Sequence, residues 1–255
     1  MSWLTNKESI QSYNNDLLLA IKDDKNFASF RSLNGIRDIV EGIPDITGIG
    51  YFTKIVNNIS LDGLTEIWNR ATKNDHVGEP RLVEFEINKL ASSTTMRYLW
   101  NVLDMEERQI VLDDVDIIEV GGGYGGLCRM IHEFHTPKSY TIIDLPNALM
   151  LAKRYLKCFD IEVKTVSCED FNKEPVDTFI SNYALTELTK EIQDKYVQKI
   201  MCNAKYGYVT YNSQLRNEKQ QHSLNHLRKN VSGYTDVYNE NVKKSECKVL
   251  IWRPK

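Results

Sequence analysis

Residues 119–126 read Glu-Val-Gly-Gly-Gly-Tyr-Gly-Gly. Five glycines in six positions let the backbone turn sharply and let a ligand approach the main chain closely. A helix opening at the end of such a turn aims its first amides at that ligand. Glu119, two residues before the first glycine, offers a negative charge to a cationic group. Asp144, 18 residues past Gly126, suits the hydroxyls of a ribose. Glu169-Asp170-Phe171 combines acids with an aromatic ring, a set that accepts an exocyclic amine and covers a flat base. Glu187, His222 and His226 are of the types that take a proton from a hydroxyl.

The elements that must position these groups follow from periodicity. Strands are predicted at 116–120, 140–144, 161–166, 178–181 and 206–211, and helices at 126–134, 146–159, 187–203 and 214–230. Pro146 suits the first turn of its helix. Two last strands, 234–238 and 248–252, have no helix between them and should form an antiparallel hairpin at one edge. Strands separated by helices imply a doubly wound parallel sheet, an α/β fold. Before residue 112 the pattern differs. Leu17, Leu18 and Ile21, then Met96, Leu99, Trp100 and Leu103, recur at helical spacing, with turns at Asn34-Gly35, Pro44-Asp45 and Gly78-Glu79-Pro80. Residues 1–112 therefore read as a helical cap over the acceptor region, and 113–255 as the sheet domain.

Composition narrows the class. The 255 residues are 42% apolar and 26% charged, with a net charge of −3, which excludes a strongly basic nucleic-acid binder by net charge. No apolar run approaches the ~18 residues of a membrane span, and the N-terminus has no basic-then-apolar leader. Cys128, Cys158, Cys168, Cys202 and Cys247 form no Cys-x-x-Cys pair and are odd in number, so free thiols in a reducing, cytoplasmic setting are expected. The partner expected is a small molecule, with no nucleic acid and no membrane span.

The glycine loop alone leaves its ligand open. Gly121, Gly123 and Gly126 satisfy the dinucleotide pattern G-x-G-x-x-G, and Gly121, Gly123 and Gly125 equally satisfy the E-x-G-x-G-x-G of enzymes that use S-adenosylmethionine. Glu119 would repel a pyrophosphate but can face the cationic amino-acid end of S-adenosylmethionine. The Tyr-x-x-x-Lys pair of short-chain dehydrogenases is absent. With the terminal hairpin, these points favour S-adenosylmethionine as cofactor.

The stretches IIEVGGGYGGLCRMI, SYTIIDLPNALMLAKRYL, ISNYALTELTKEIQDKY and GYVTYN resemble class I methyltransferases, and more closely the bacterial and viral sugar O-methyltransferases. The resemblance spans about residues 116–212, with a fainter echo in HVGEP at 76–80. It implies a Rossmann-like, seven-stranded sheet of order 3-2-1-4-5-7-6. Carried over, Glu119, Gly121, Gly122, Gly123 and Gly125 surround the methionine part of the cofactor. Asp144 and Leu145 meet the ribose, Asp170 and Phe171 the adenine, and Asn182 lies beside the reacting centre. The implied reaction is methyl transfer to a hydroxyl of a sugar or glycan precursor. The rivals are a phenol or amine acceptor, a nicotinamide-dependent oxidoreductase, and a non-catalytic binding module.

In such a fold the acceptor lies past the carboxyl ends of the fourth and fifth strands. That places Tyr183 and Glu187 at the reacting centre and residues 214–226 within reach. Glu187 is either the base or a favourable acid at a helix start. His222 and His226, expected on one helical face, are base candidates or solvated residues. No acid at fixed spacing accompanies them, so no metal site is expected. His76 could line the pocket from the cap, and His132 and His135 read as surface residues. Arg216, Lys219, Arg228 and Lys229 could meet phosphates or form a solvated face.

Overall fold

The structure, a computed structural model, describes residues 7–86, 88–173, 175–212, 222–240, 242 and 247–255. The chain opens with helices α1 (Lys7–Lys22), α2 (Asp24–Ala28), α3 (Asn34–Ile39), α4 (Asp45–Asn58) and α5 (Leu61–Ala71). A small antiparallel hairpin, β1 (Val83–Glu86) and β2 (Lys89–Ala91), leads into α6 (Ser93–Glu107), whose first turn is capped by the Ser92 hydroxyl accepting from Thr95 N at 3.0 Å. Then come β3 (Asp116–Val120), α7 (Gly126–Phe134), β4 (Ser139–Asp144), α8 (Pro146–Lys157), β5 (Lys164–Ser167), β6 (Thr178–Asn182), α9 (Ala184–Glu187) and α10 (Lys190–Lys199). The chain ends with β7 (Tyr206–Tyr211), α11 (Leu224–Lys229), β8 (Tyr234–Asn239) and β9 (Lys248–Arg253).

Seven strands form one sheet in the order β5-β4-β3-β6-β7-β9-β8. Pairing is parallel from β5 through β7, and β9 runs antiparallel to both β7 and β8. The cap hairpin offsets the numbering by two; counted within the sheet, the order is 3-2-1-4-5-7-6. The fold is thus Rossmann-like, with the doubly wound sheet and N-terminal helices expected. No helix among the described residues is long and apolar enough to cross a membrane. None of the five cysteines is joined in a disulfide.

The period-two alternation of strand side chains assigns the two faces. Ile117, Ile142, Ile180, Tyr208 and Ile251 join one core with Leu17, Phe30, Tyr51 and Leu99 from the N-terminal helices. Ile118, Ile143, Phe179, Val209 and Leu250 join the opposite core with Leu185, Tyr196 and Trp252. Sheet and N-terminal helices therefore share one apolar cluster. Glu119, two residues from Ile117, must lie on the face turned to those helices.

Four boundaries differ from expectation. The hairpin Val83–Ala91 was not expected, although Val83-Glu84-Phe85-Glu86 alternates apolar and polar residues with the period of a strand. The third sheet strand starts at Lys164, because Asp160 takes φ +55° and Ile161 N donates back to Leu156 O, making 158–163 the exit from α8. The helix expected over 187–203 breaks at Leu188 and Thr189, both with ψ 155°, and Gln193 Nε2 ties the halves by donating to Leu185 O at 2.9 Å. Of the helix expected over 214–230, the described part is Leu224–Lys229, and residues 213–221 lie outside the described set.

Arg31 pins the N-terminal half together. Its buried guanidinium donates to Glu41 (2.7 and 3.1 Å), Asp75 Oδ1 (2.9 Å), Asn74 O (2.9 Å) and the Ser92 hydroxyl (2.8 Å). Asp75 in turn accepts from Ser92 N and Thr95 Oγ1 at the start of α6. Removing the cation leaves two buried carboxylates uncompensated. Arg31→Met is expected to lower the unfolding free energy in urea by about 3–5 kcal/mol; a loss under about 1 kcal/mol would mean the helices are held by apolar packing alone.

Candidate functional site

The glycine turn caps the carboxyl end of β3, at the centre of the sheet. Gly121, Gly123 and Gly125 have φ of +80°, +56° and +89°, values that L side chains adopt rarely. Gly121 has a second reason: a Cβ there would overlap the Ala184 Cβ at the start of α9. Three of the turn's amides are spent inside the protein. Gly121 N donates to Ile143 O, Gly123 N to Asp144 Oδ2 (2.8 Å) and Gly125 N to Gly122 O.

Two cavities meet at this turn, and Gly121, Asp144 and Ala184 belong to the walls of both. The first, about 580 Å³, runs over β4 and β5 toward α10 and is lined by Leu145, Cys168, Glu169, Phe171 and Tyr196. The second, about 500 Å³, lies between the turn and the N-terminal helices, with Tyr51, Arg97, Glu119, Asn182, Tyr183 and Glu187 on its wall. Together they border Glu119, Gly121, Gly122, Gly123, Asp144, Leu145, Phe171, Asn182, Tyr183 and Glu187, ten of the residues singled out in the sequence. Gly125 borders neither; it sets the left-handed entry to α7 and packs against Leu156.

Asp144 serves the turn before any ligand arrives. Its two carboxylate oxygens accept from Gly123 N and Leu145 N at 2.8 and 2.7 Å, each oxygen keeping lone-pair capacity for a hydroxyl. Burial pushes its carboxyl up to about 6, against the pull of those two amides. Glu119 is buried and accepts from the Tyr140 hydroxyl at 2.9 Å. Burial raises it to about 7, the Tyr140 bond working the other way. Both acids hold a proton well above their usual range and will ionise most readily when a cation comes to them.

At the carboxyl end of β6, Tyr183 caps α9 with φ +67°, a strained value for a non-glycine residue. Its hydroxyl donates to Glu240 Oε1 at 3.0 Å and lies 3.2 Å from the Tyr51 hydroxyl, which donates to the same oxygen at 2.6 Å. Burial raises the Tyr183 phenol far above its ordinary value, so it is a hydrogen-bond donor and not a proton acceptor. Asn182 Oδ1 accepts from Thr210 Oγ1 at 2.7 Å, and its Nδ2 is buried without a partner on the cavity wall. Glu187 is the last residue of α9, which is one turn long, so it also counts as an acid in that helix's first turn. Its carboxyl accepts from Asn212 Nδ2 at 3.3 Å and is pushed up to about 7 by burial, the range of a general base at neutral pH.

Other candidates fall elsewhere. Asp170 is exposed and lines neither cavity; Glu169, also exposed, borders the first. Phe171 is buried with its ring stacked on Tyr196 at 4.0 Å and 2°. His222 precedes α11, yet its ring stacks on that of His226 at 3.7 Å and 6°; its Nε2 pairs with Asp194 Oδ1 at 2.7 Å, and neither histidine borders the two cavities. The acid missing from the local spacing is thus supplied by α10, and the three donor groups converge within 4.8 Å, a set able to hold a metal ion. His76 is exposed and borders neither cavity. His132 and His135 are half-buried, His135 between Asp113 and Glu106, so neither is a simple surface residue. Arg228 is exposed and bonded to Thr235, Lys229 is exposed, and Arg216 and Lys219 lie outside the described residues. Tyr51, Arg97, Asn212 and Glu240 were not foreseen; only Arg97, a charge inside the apolar stretch 96–103, carried a local signal.

No known family and no curated protein matches the chain by sequence. Solved structures similar to it include an S-adenosylmethionine-dependent methyltransferase from Clostridium acetobutylicum, at 12% identity and a TM-score of 0.47 over 61% of this chain and 89% of that one. The PH0226 protein of Pyrococcus horikoshii is similar at 10% identity and a TM-score of 0.48, over 63% and 92%. An rRNA methylase from Streptococcus thermophilus is similar at 15% and 0.45, over 60% and 95%. Overlaps this loose carry no argument about chemistry.

The raised carboxyls have a measurable consequence. Between about pH 4.5 and 7 the folded protein keeps a proton on Glu119 that the unfolded chain has lost, so this group's contribution to stability falls as pH rises through that window. Relative to Glu119→Gln, which mimics the protonated acid, the wild type should lose on the order of 3 kcal/mol of unfolding free energy between pH 5 and 8. A difference that stays flat with pH in parallel urea titrations would show that Glu119 is not buried as described.

Proposed function

We propose that the chain is an S-adenosylmethionine-dependent methyltransferase that methylates a hydroxyl of a sugar or glycan precursor. The observation that supports the cofactor is the setting of the turn. Glu119 lies buried on the cavity wall beside it, an acid that would repel a pyrophosphate and can face an ammonium group, while Asp144 suits ribose hydroxyls in either class of cofactor. The nicotinamide rival is disfavoured on that ground, and the binding-module rival by the raised Glu187 carboxyl on the same wall.

In this reading the ribose lies against Asp144 and Leu145, the methionine part against Glu119 and Gly121–Gly123, and the adenine in the cavity of Glu169 and Phe171. When bound, S-adenosylmethionine supplies a methyl carbon already activated by the sulfonium charge. The chain's own task is to align the acceptor oxygen behind that carbon and to take its proton. Glu187 receives the proton; Asn182 Nδ2 orients the acceptor, and the N-terminal helices cover it. The sugar acceptor rests on the sequence resemblance, with a phenol or amine as the alternative.

Calorimetric titration with S-adenosylhomocysteine and, separately, NAD tests the cofactor. Binding of the former alone, lost in Asp144→Ala, is expected; binding of NAD alone would overturn the proposal. Screening nucleotide sugars, phenols and amines with labelled cofactor then tests the acceptor. Glu187→Gln should lower turnover by about 10²–10⁴, and the wild-type rate should rise through an apparent pKa near 7 that the variant lacks. Full activity in Glu187→Gln would leave alignment as the whole of the catalysis.

A further inference from the structure

Arg97 sits in the first turns of α6, on the wall of the cavity between the glycine turn and the N-terminal helices. Its Nε is buried without a hydrogen-bond partner. Its Nη2 donates over a long 3.4 Å to Val40 O, and the Tyr98 hydroxyl is a further hydrogen-bond partner of the guanidinium. Two aromatic faces bracket the guanidinium, Tyr183 at 5.1 Å and Tyr98 at 5.4 Å from Cζ. No carboxylate among the described residues forms an ion pair with it, whereas the buried Arg31 closes on Glu41 and Asp75, and Arg129 on Glu133.

None of the acids nearby forms an ion pair with it: Glu240 accepts from the Tyr51 and Tyr183 hydroxyls, and burial raises the Glu119 and Glu187 carboxyls to about 7. An arginine cannot shed its charge in response. The cavity wall therefore carries a permanent, half-buried cation whose buried Nε has no acceptor, an arrangement that an incoming anion would complete. The fork of a guanidinium matches a carboxylate in two parallel hydrogen bonds.

We propose that Arg97 anchors a ligand carboxylate in this cavity. Two sources fit: the α-carboxylate of the cofactor's amino-acid end, or an acid group on the acceptor, as in a uronic acid. The first source rests on the methyltransferase reading; the second does not.

The test compares wild type with Arg97→Met and Arg97→Lys. Each is titrated with S-adenosylhomocysteine, with its decarboxylated analogue, and with glucuronate and glucose, the sugars both before and after saturation with S-adenosylhomocysteine. If the cofactor is the source, Arg97→Met weakens S-adenosylhomocysteine by about tenfold or more while the decarboxylated analogue binds both proteins alike. If the acceptor is the source, wild type prefers glucuronate to glucose by a similar factor and Arg97→Met abolishes the preference. Arg97→Lys should fall between, since a point charge replaces the fork. The melting temperature of ligand-free Arg97→Met checks that the variant is folded, since the substitution also removes the contacts with the Tyr98 and Tyr183 rings.

The proposal is overturned if both ligands bind the two proteins alike, whatever the melting temperature. Wild type that binds no S-adenosylhomocysteine would remove the methyltransferase reading, and the carboxylate anchor would then stand or fall on glucuronate alone.

Discussion

The architecture depends on one contact, the Asp144 carboxylate accepting from Gly123 N across the tips of two adjacent strands. β3 and β4 pair in register to Val120 and Ile143, so their carboxyl ends finish side by side. The chain must then reverse from β3 into α7 within five residues. Left-handed glycines make that reversal sterically available, and Asp144 selects one turn from the many such glycines allow. Once the turn is set, Gly121 leaves room for Ala184, and Gly126 leaves room for the Tyr98 and Tyr124 rings. The same carboxylate thus fixes the floor of both cavities and the seat of the helices above them.

How far the sequence could be read follows from the range of the forces involved. The parallel strands are covered on both faces, so they appear as short continuous apolar runs, and IIEV and TIID were legible as such. The glycine turn was legible because positive φ demands a residue type. What was not legible arises from distant segments or from a single residue's phase. Glu169 borders a cavity and its neighbour Asp170 does not, a difference of one position in a turn that composition does not encode. The partner of His222 is Asp194, 28 positions away on another helix. The Tyr51 and Glu240 contributions come from opposite ends of the chain and have no local signature.

Charge at the site is arranged in opposition to charge in the scaffold. In the scaffold, Arg31 and Arg129 are buried with carboxylates in place. Around the cavities burial raises the Glu119 carboxyl to about 7 and that of Asp144 to about 6, and the one guanidinium on the wall lacks a carboxylate partner among the described residues. A scaffold that satisfied every charge would have nothing left to offer a zwitterionic ligand. Separate, individually uncompensated groups of both signs give recognition at the expense of stability, as binding sites commonly do.

The N-terminal helices are integral to this arrangement. Tyr51 on α4 reaches the same Glu240 oxygen as Tyr183 at the start of α9, and Lys54 Nζ, one turn along α4, donates to the Glu240 carbonyl at 2.6 Å. Tyr183 holds a backbone conformation that costs about 1–3 kcal/mol in isolation. A strained residue persists only where its surroundings over-determine it. Here the surroundings are the two hydroxyl bonds to Glu240 and the Arg97 guanidinium over its ring, from α4, β8's exit and α6. The direction of α9, and with it the place of Glu187, therefore depends on the helices that share the core with the sheet. A sheet domain cut free at residue 113 would keep the glycine turn and lose the geometry that makes it useful.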